Sequence, residues 1–292
     1  MKTLKGKVAL VAGSSRGAGR GIALALGEAG ATVYVVGRTT RTGPKPKDGA
    51  PGSIEQTAEE VQARGGQGIA VEADFTDPKD VAAVFAQLSR NEKGLDVLVN
   101  AVWGGADGFD PNEDMQTSWS KPFWEHPCQQ WNYMMDAGPH AYYLASHFAA
   151  KKMVEQRQGL IVSITDGVME NVGEGDYMGQ LIWDVAHNAI NRLMRGIAVE
   201  TKPHKVAAIT LMPGFMRTER VERNLPTEEL KKAFRYDLSE STEYVGRAVV
   251  ALASDKNAIS KTGKIHFVAD LAKEYGFTDI DGRQVPRFKP FG

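Results

Sequence analysis

A single cysteine, Cys128, in 292 residues leaves no partner for an intrachain disulfide. Neither sign of charge dominates, with 35 Lys and Arg against 36 Asp and Glu, so no overall electrostatic footprint for nucleic acid or an anionic lipid surface is present. No long apolar run opens the chain: Gly13 interrupts the one that begins near Val8, which does not fit a secretory leader. These absences lead to the expectation of a cytoplasmic protein that takes a small-molecule substrate and engages neither nucleic acid nor membrane. Charged residues at 24% and hydrophobic residues at 42% also exclude a disordered tail. Glycine, in contrast, is abundant: 31 residues, more than one in ten, where about 7% is usual.

Short β-branched runs alternate with segments of helical period, the pattern of a parallel sheet covered on both faces. Seven strands are expected, at Val8 to Val11, Thr32 to Val36, Ile69 to Glu72, Val97 to Val99, Leu160 to Ile164, Val206 to Leu211 and Ile265 to Val268. Helices are expected at Gly19 to Gly30, Ser53 to Arg64, Pro78 to Ser89, Gln130 to Val154, Leu181 to Thr201, Thr227 to Phe234 and Glu243 to Ala253. Asp77 before Pro78 reads as an N-cap, and Gly30 and Gly65 as helix stops. The fold class is α/β: a three-layer, doubly wound Rossmann arrangement around a seven-stranded parallel sheet. No linker divides residues 1–292, so one domain is expected, with inserted loops near 39–52 and 104–127. The second loop carries Trp119, Phe123 and Trp124, which are candidates for lining a substrate pocket.

After the first strand comes Ala12-Gly13-Ser14-Ser15-Arg16-Gly17-Ala18-Gly19, leading into a helix. Glycines at that spacing permit a tight turn, close backbone approach to a pyrophosphate and close helix–strand packing, with the phosphates at the helix N-terminus. A strand before and a helix after supply the context the motif needs.

With this turn the chain resembles the short-chain dehydrogenase/reductase family, and the resemblance continues along its length. Asp74 follows the third strand, Asn100 closes the fourth in Asp96-Val97-Leu98-Val99-Asn100, and Pro213-Gly214 with Thr218 matches a P-G-x-x-x-T segment. The segments Lys121-Pro122-Phe123-Trp124-Glu125 and Asp270 to Gly282 are similar to the branch typified by dehydrogenase/reductase member 1. The resemblance implies a nicotinamide cofactor held by Gly13, Ser15, Arg16, Gly17, Ala18, Gly19, Arg38, Thr39, Asp74, Phe75, Asn100, Ala101, His187, Pro213, Gly214 and Thr218. Within it, Asp74 faces adenine and the Pro213 to Thr218 segment faces the nicotinamide amide. It also implies a homodimer or homotetramer. Ala101-Val102-Trp103 departs from the family's N-N-A-G.

NAD binders place an acid at the end of the second strand, where it would repel a 2′-phosphate. Here Gly37-Arg38-Thr39 stands there and Arg16 lies in the glycine turn, two guanidiniums that suit NADP(H). The reading in which either arginine is only a surface charge stays open.

The family's Asn, Ser, Tyr and Lys tetrad is absent. None of the eight tyrosines has a lysine four residues later. With the register set on Ala198-Val199-Glu200, the tyrosine position falls on Trp183, the lysine on His187, the serine on Asp166 and the asparagine on Gly138. Indole N–H only donates and does not titrate usefully, so Trp183 is no general acid. Reduction of a ketone needs a proton on oxygen. Reduction of an iminium does not, and a carboxylate such as Asp166 stabilises its charge. By analogy, fungal relatives that reduce iminium groups work without the tyrosine. His187 is a candidate for bonding the nicotinamide ribose or for acid–base work near neutrality. Tyr177, with Glu174 and Asp176 beside it, is a candidate displaced proton donor, and Asp166 is alternatively a turn residue next to Gly167. The leading expectation is an NADPH-dependent reductase acting on an imine, iminium or other activated bond. Two alternatives remain: a pocket that performs cyclisation or isomerisation around a structural nucleotide, and a noncatalytic NADP-binding scaffold.

Overall fold

The computed structural model describes residues 3–43, 45–46, 49–104, 121–166 and 180–288. Seven strands form one parallel sheet: β1 (Val8–Ala12), β2 (Thr32–Gly37), β3 (Gln67–Glu72), β4 (Val97–Asn100), β5 (Gly159–Ile164), β6 (Val206–Met212) and β9 (Ile265–Phe267). Their spatial order is β3-β2-β1-β4-β5-β6-β9. Among the described residues two further strands, β7 (Met216–Arg217) and β8 (Glu240–Ser241), pair with each other.

Alternation along β1 builds both faces of the core. Ala9 and Val11 join one cluster with α1 (Gly17–Glu28), α2 (Ile54–Ala63), α9 (Thr242–Ser254) and α10 (Val268–Tyr275). Val8, Leu10 and Ala12 join the other with α3 (Pro78–Asn91), α5 (Ala141–Gln156) and α6 (Leu181–Thr201). A strand buried on both sides needs apolar residues at every position, and β1 reads Val-Ala-Leu-Val-Ala. The chain order reverses between β1 and β4, which opens a crevice beyond their carboxyl ends.

The expected helix from Gln130 to Val154 is two helices. α4 (Gln129–Met135) and α5 are separated by a π-type turn at Asp136–His140, with Gly138 at φ −113° and ψ −105°. Pro139 has no N–H to donate and drives the residue before it out of helical geometry. Not anticipated were α10, the two strands β7 and β8, and α7 (Glu219–Asn224), which precedes the expected α8 (Glu228–Ala233). Among the described residues no helix is long and apolar enough to cross a membrane.

Candidate functional site

The glycine turn between β1 and α1 is closely packed. Gly13 has φ +84°, and a Cβ there would lie 2.6 Å from the Ala101 carbonyl oxygen; one on Gly19 would lie 2.2 Å from that of Gly13. Only hydrogen fits at either place. Ser14 ties the turn to β2, its Oγ donating to the Val11 carbonyl at 2.8 Å and accepting from the Val36 amide at 2.9 Å. α1 begins without a side-chain cap and without an acid in its first turn. Its Gly17 amide instead donates to a carboxylate 202 residues away, Oε2 of Glu219, at 2.8 Å. That carboxylate sits where the helix dipole and an open amide favour an anion, so the residues present fit a dinucleotide pyrophosphate. Thr218, the residue before it, caps α7 by accepting from the Val221 amide at 3.2 Å.

The adenosine end is marked by charge. Arg38, just past β2, pairs with Asp74 at 3.5 Å. Asp74 also accepts from the Thr76 amide and hydroxyl, and Phe75 beside it is 3% exposed. Arg16 donates to the carbonyls of Pro51 and Gly52, each at 3.1 Å, so the 39–52 insertion is drawn onto the glycine turn. Thr39 accepts from the Ile54 amide and starts that insertion. A cavity of about 350 Å³ opens at this end between Arg38, Thr76, Gly104, Asn132, Tyr133 and Asp136. Asn100 points inward: its amide nitrogen donates to Ser146 at 3.1 Å and Ser163 at 3.2 Å. It thus shapes the end of β4, whose next residue, Ala101, packs on Gly13.

On the opposite side, Trp183 and His187 lie one turn apart on α6, as the register implied, with ring centroids 4.7 Å apart. A third ring completes the group: Trp103 lies 4.7 Å from Trp183 and 4.5 Å from His187. Gly138 makes room for it, since a Cβ there would approach the Trp103 ring to 3.0 Å. Sequence reasoning noted Trp103 only as a departure from a motif. Its signal was the pairing of a large ring in one loop with a glycine in another segment, Trp103 with Gly138.

The geometry corrects one expectation. His187 does not titrate near neutrality, because burial lowers its pKa to about 4. Its Nδ1 lies 2.9 Å from the Trp183 carbonyl oxygen, which only accepts, so Nδ1 carries the proton and Nε2 is an acceptor. A neutral imidazole of this tautomer cannot reproduce a lysine cation.

Asp166 follows β5 at the carboxyl edge, where β5 is flanked by β4 and β6. The Thr165 amide anchors that end by donating to the Leu211 carbonyl at 3.0 Å. No basic side chain among the described residues pairs with Asp166, and burial raises its carboxyl to about 7. Tyr177 and Trp119 lie outside the described residues. Phe123 and Trp124 are 56% and 73% exposed.

The family model for short chain dehydrogenases matches residues 7–229. The chain is 36% identical over 290 residues to human dehydrogenase/reductase SDR family member 1, covering 97% of this chain and 86% of that protein. The mouse protein of the same name is 37% identical over 297 residues, covering 99% and 88%. Among solved structures, a short chain dehydrogenase from Mycobacterium thermoresistibile superposes with a TM-score of 0.77 at 24% identity, covering 98% of this chain and 93% of that one. A Beutenbergia cavernae structure with bound NADP at low occupancy gives 0.70 at 24% identity, covering 91% and 96%.

Proposed function

The chain belongs to the short-chain dehydrogenase/reductase family, a family of oxidoreductases, and from that premise we propose that it is an NADPH-dependent reductase of C=N bonds in small organic substrates. Support for NADP(H) comes from Arg16 and Arg38 flanking the end of β2 with no acid there, and from the NADP held by the Beutenbergia cavernae neighbour. The nicotinamide supplies the hydride.

The observation that carries the reading is Asp166, a carboxyl at the end of β5 with no basic partner among the described residues, in a chain where no tyrosine has a lysine four residues later. With its pKa near 7, it retains a proton at neutral pH and gives it to an imine nitrogen of similar basicity at little cost. The carboxylate left behind then stabilises the iminium it has made. After hydride arrives at carbon, the amine departs and water restores the proton to Asp166. A ketone oxygen is a far weaker base than an imine nitrogen and gains less from the same acid. The rings of Trp103 and Trp183 add faces that favour a cation. His187 accepts through Nε2 from a ribose hydroxyl, where lysine donates.

The test is NADPH oxidation with cyclic imines and with ketones of the same skeleton. The imines are expected to be reduced and the ketones left. Bound NADPH that stays unoxidised across both panels overturns the reading. Conversion that proceeds equally with NADP+ identifies the nucleotide as structural and also overturns it.

A further inference from the structure

The segment that the family resemblance puts against the nicotinamide, Pro213 to Thr218, leaves the sheet after β6 and is held by residues far along the chain. Arg217 forms β7 with Met216, and β7 pairs with β8. Its guanidinium donates to the Ser239 carbonyl at 2.7 Å and to Asp279 at 3.2 Å. Asp279 is 1% exposed and belongs to the chain that returns after α10. Its carboxylate accepts from the Ser241 amide at 2.8 Å, the Ser241 hydroxyl, the Ile280 amide at 2.8 Å and Arg217. The same returning chain stacks Phe288 on Phe215, with centroids 5.9 Å apart. Gly214 packs against Glu240, a Cβ at that glycine lying 2.9 Å from Oε2.

A buried carboxylate is tolerated when each lone pair meets a donor, and four donors from three chain segments converge here. The cluster adjoins Thr218 and lies at the opposite end of the crevice from the Arg38–Asp74 pair. We propose that Asp279 is a positioning residue: through Arg217 it sets the Pro213 to Thr218 segment, and so governs how the nicotinamide half of the cofactor is held without affecting the adenosine half. This inference rests on the NADPH reading above.

The experiment uses the full chain with two probes, NADPH and 2′,5′-ADP, each titrated by calorimetry into the wild type, Asp279→Asn and Arg217→Lys. Asn keeps the size of Asp279 and loses its charge. Losing a charge-assisted hydrogen bond corresponds to about a ten- to hundredfold change. Asp279→Asn is therefore expected to raise the Kd for NADPH about tenfold or more and to leave that for 2′,5′-ADP within about twofold. Arg217→Lys, which keeps the charge but not the fork, follows the same split, and the double variant adds little to Asp279→Asn. In turnover the change falls on KM for NADPH more than on kcat. Should Asp279→Asn fail to fold, Arg217→Lys carries the comparison alone. Equal weakening of both probes reduces Asp279 to a stabilising contact and overturns the proposal, as does unchanged NADPH binding. A wild type that binds 2′,5′-ADP and NADPH equally overturns it too, whereas a wild type that binds neither overturns the NADPH reading itself.

Discussion

Replacing Asp166 with asparagine separates its charge from its shape. The carboxyl rises from 3.8 to about 7, roughly three units, and each unit corresponds to about 1.36 kcal/mol, so the site prefers the neutral form by about 4 kcal/mol. The sign follows from proton binding. Between pH 3.8 and 7 the folded protein holds a proton that the unfolded chain has released, so this group's contribution to stability falls as pH rises through that window and is flat above it. The uncharged amide of the Asp166→Asn variant carries no such penalty. Urea denaturation of both proteins is therefore expected to show the variant gaining on the wild type from pH 4 to 7, ending about 4 kcal/mol ahead at pH 8. Catalysis moves the other way: imine reduction by the wild type falls above pH 7 as the acid form is depleted, and the variant loses about 10²- to 10⁴-fold. A stability difference that does not change between pH 4 and 8, or a wild-type rate flat through pH 7, refutes the reasoning.

Trp183→Tyr with His187→Lys is not expected to restore ketone reduction, because the Trp103 ring fills the space beside both; adding Trp103→Gly and Gly138→Asn is expected to restore it, followed as NADPH oxidation. Gly138→Asn alone should cost about 1–3 kcal/mol in urea unfolding, since its Cβ meets Trp103 at 3.0 Å. Glu219→Gln removes the charge that competes for the Gly17 amide and is expected to tighten NADPH binding about three- to tenfold by fluorescence titration, most at low salt; an unchanged Kd shows that Glu219 moves aside without cost. Arg38→Ala is expected to lower the preference for NADPH over NADH by about ten- to a hundredfold, and equal loss for both cofactors counts against a contact with the 2′-phosphate.

The strands were legible because burial on both faces leaves little choice of residue, and Val-Ala-Leu-Val-Ala reads the same in the chain as in the sheet. Helix α6 was legible end to end, since its apolar period runs unbroken from Leu181 to Thr201. The glycine turn was legible because it carries its own context. What was hidden depends on contacts between distant segments. Glu219 meets Gly17 across 202 residues, and Asp279 meets Arg217 across 62. No local period encodes such a contact. The break at Gly138 was locally encoded, in Gly138-Pro139, but the helical period on both sides masked it.

Trp103 weighs against reading the tyrosine and lysine replacements expected from the sequence as simple decay. Loss of function by drift leaves independent changes, and shrinking asparagine to glycine in a packed site opens a void that costs stability. Here the glycine at position 138 is matched by a ring from another loop that reaches within 3.0 Å of where its Cβ would be, and that ring meets Trp183 edge to face and His187 at a tilt. Trp103 and Gly138 are complementary in volume. The glycine cradle meanwhile keeps the tight contacts at Gly13 and Gly19, and the end of α1 still draws an anion. A cradle with these tight contacts, together with a carboxyl at the end of β5 that has no basic partner among the described residues, favours the proposed chemistry on a bound nucleotide over a noncatalytic scaffold.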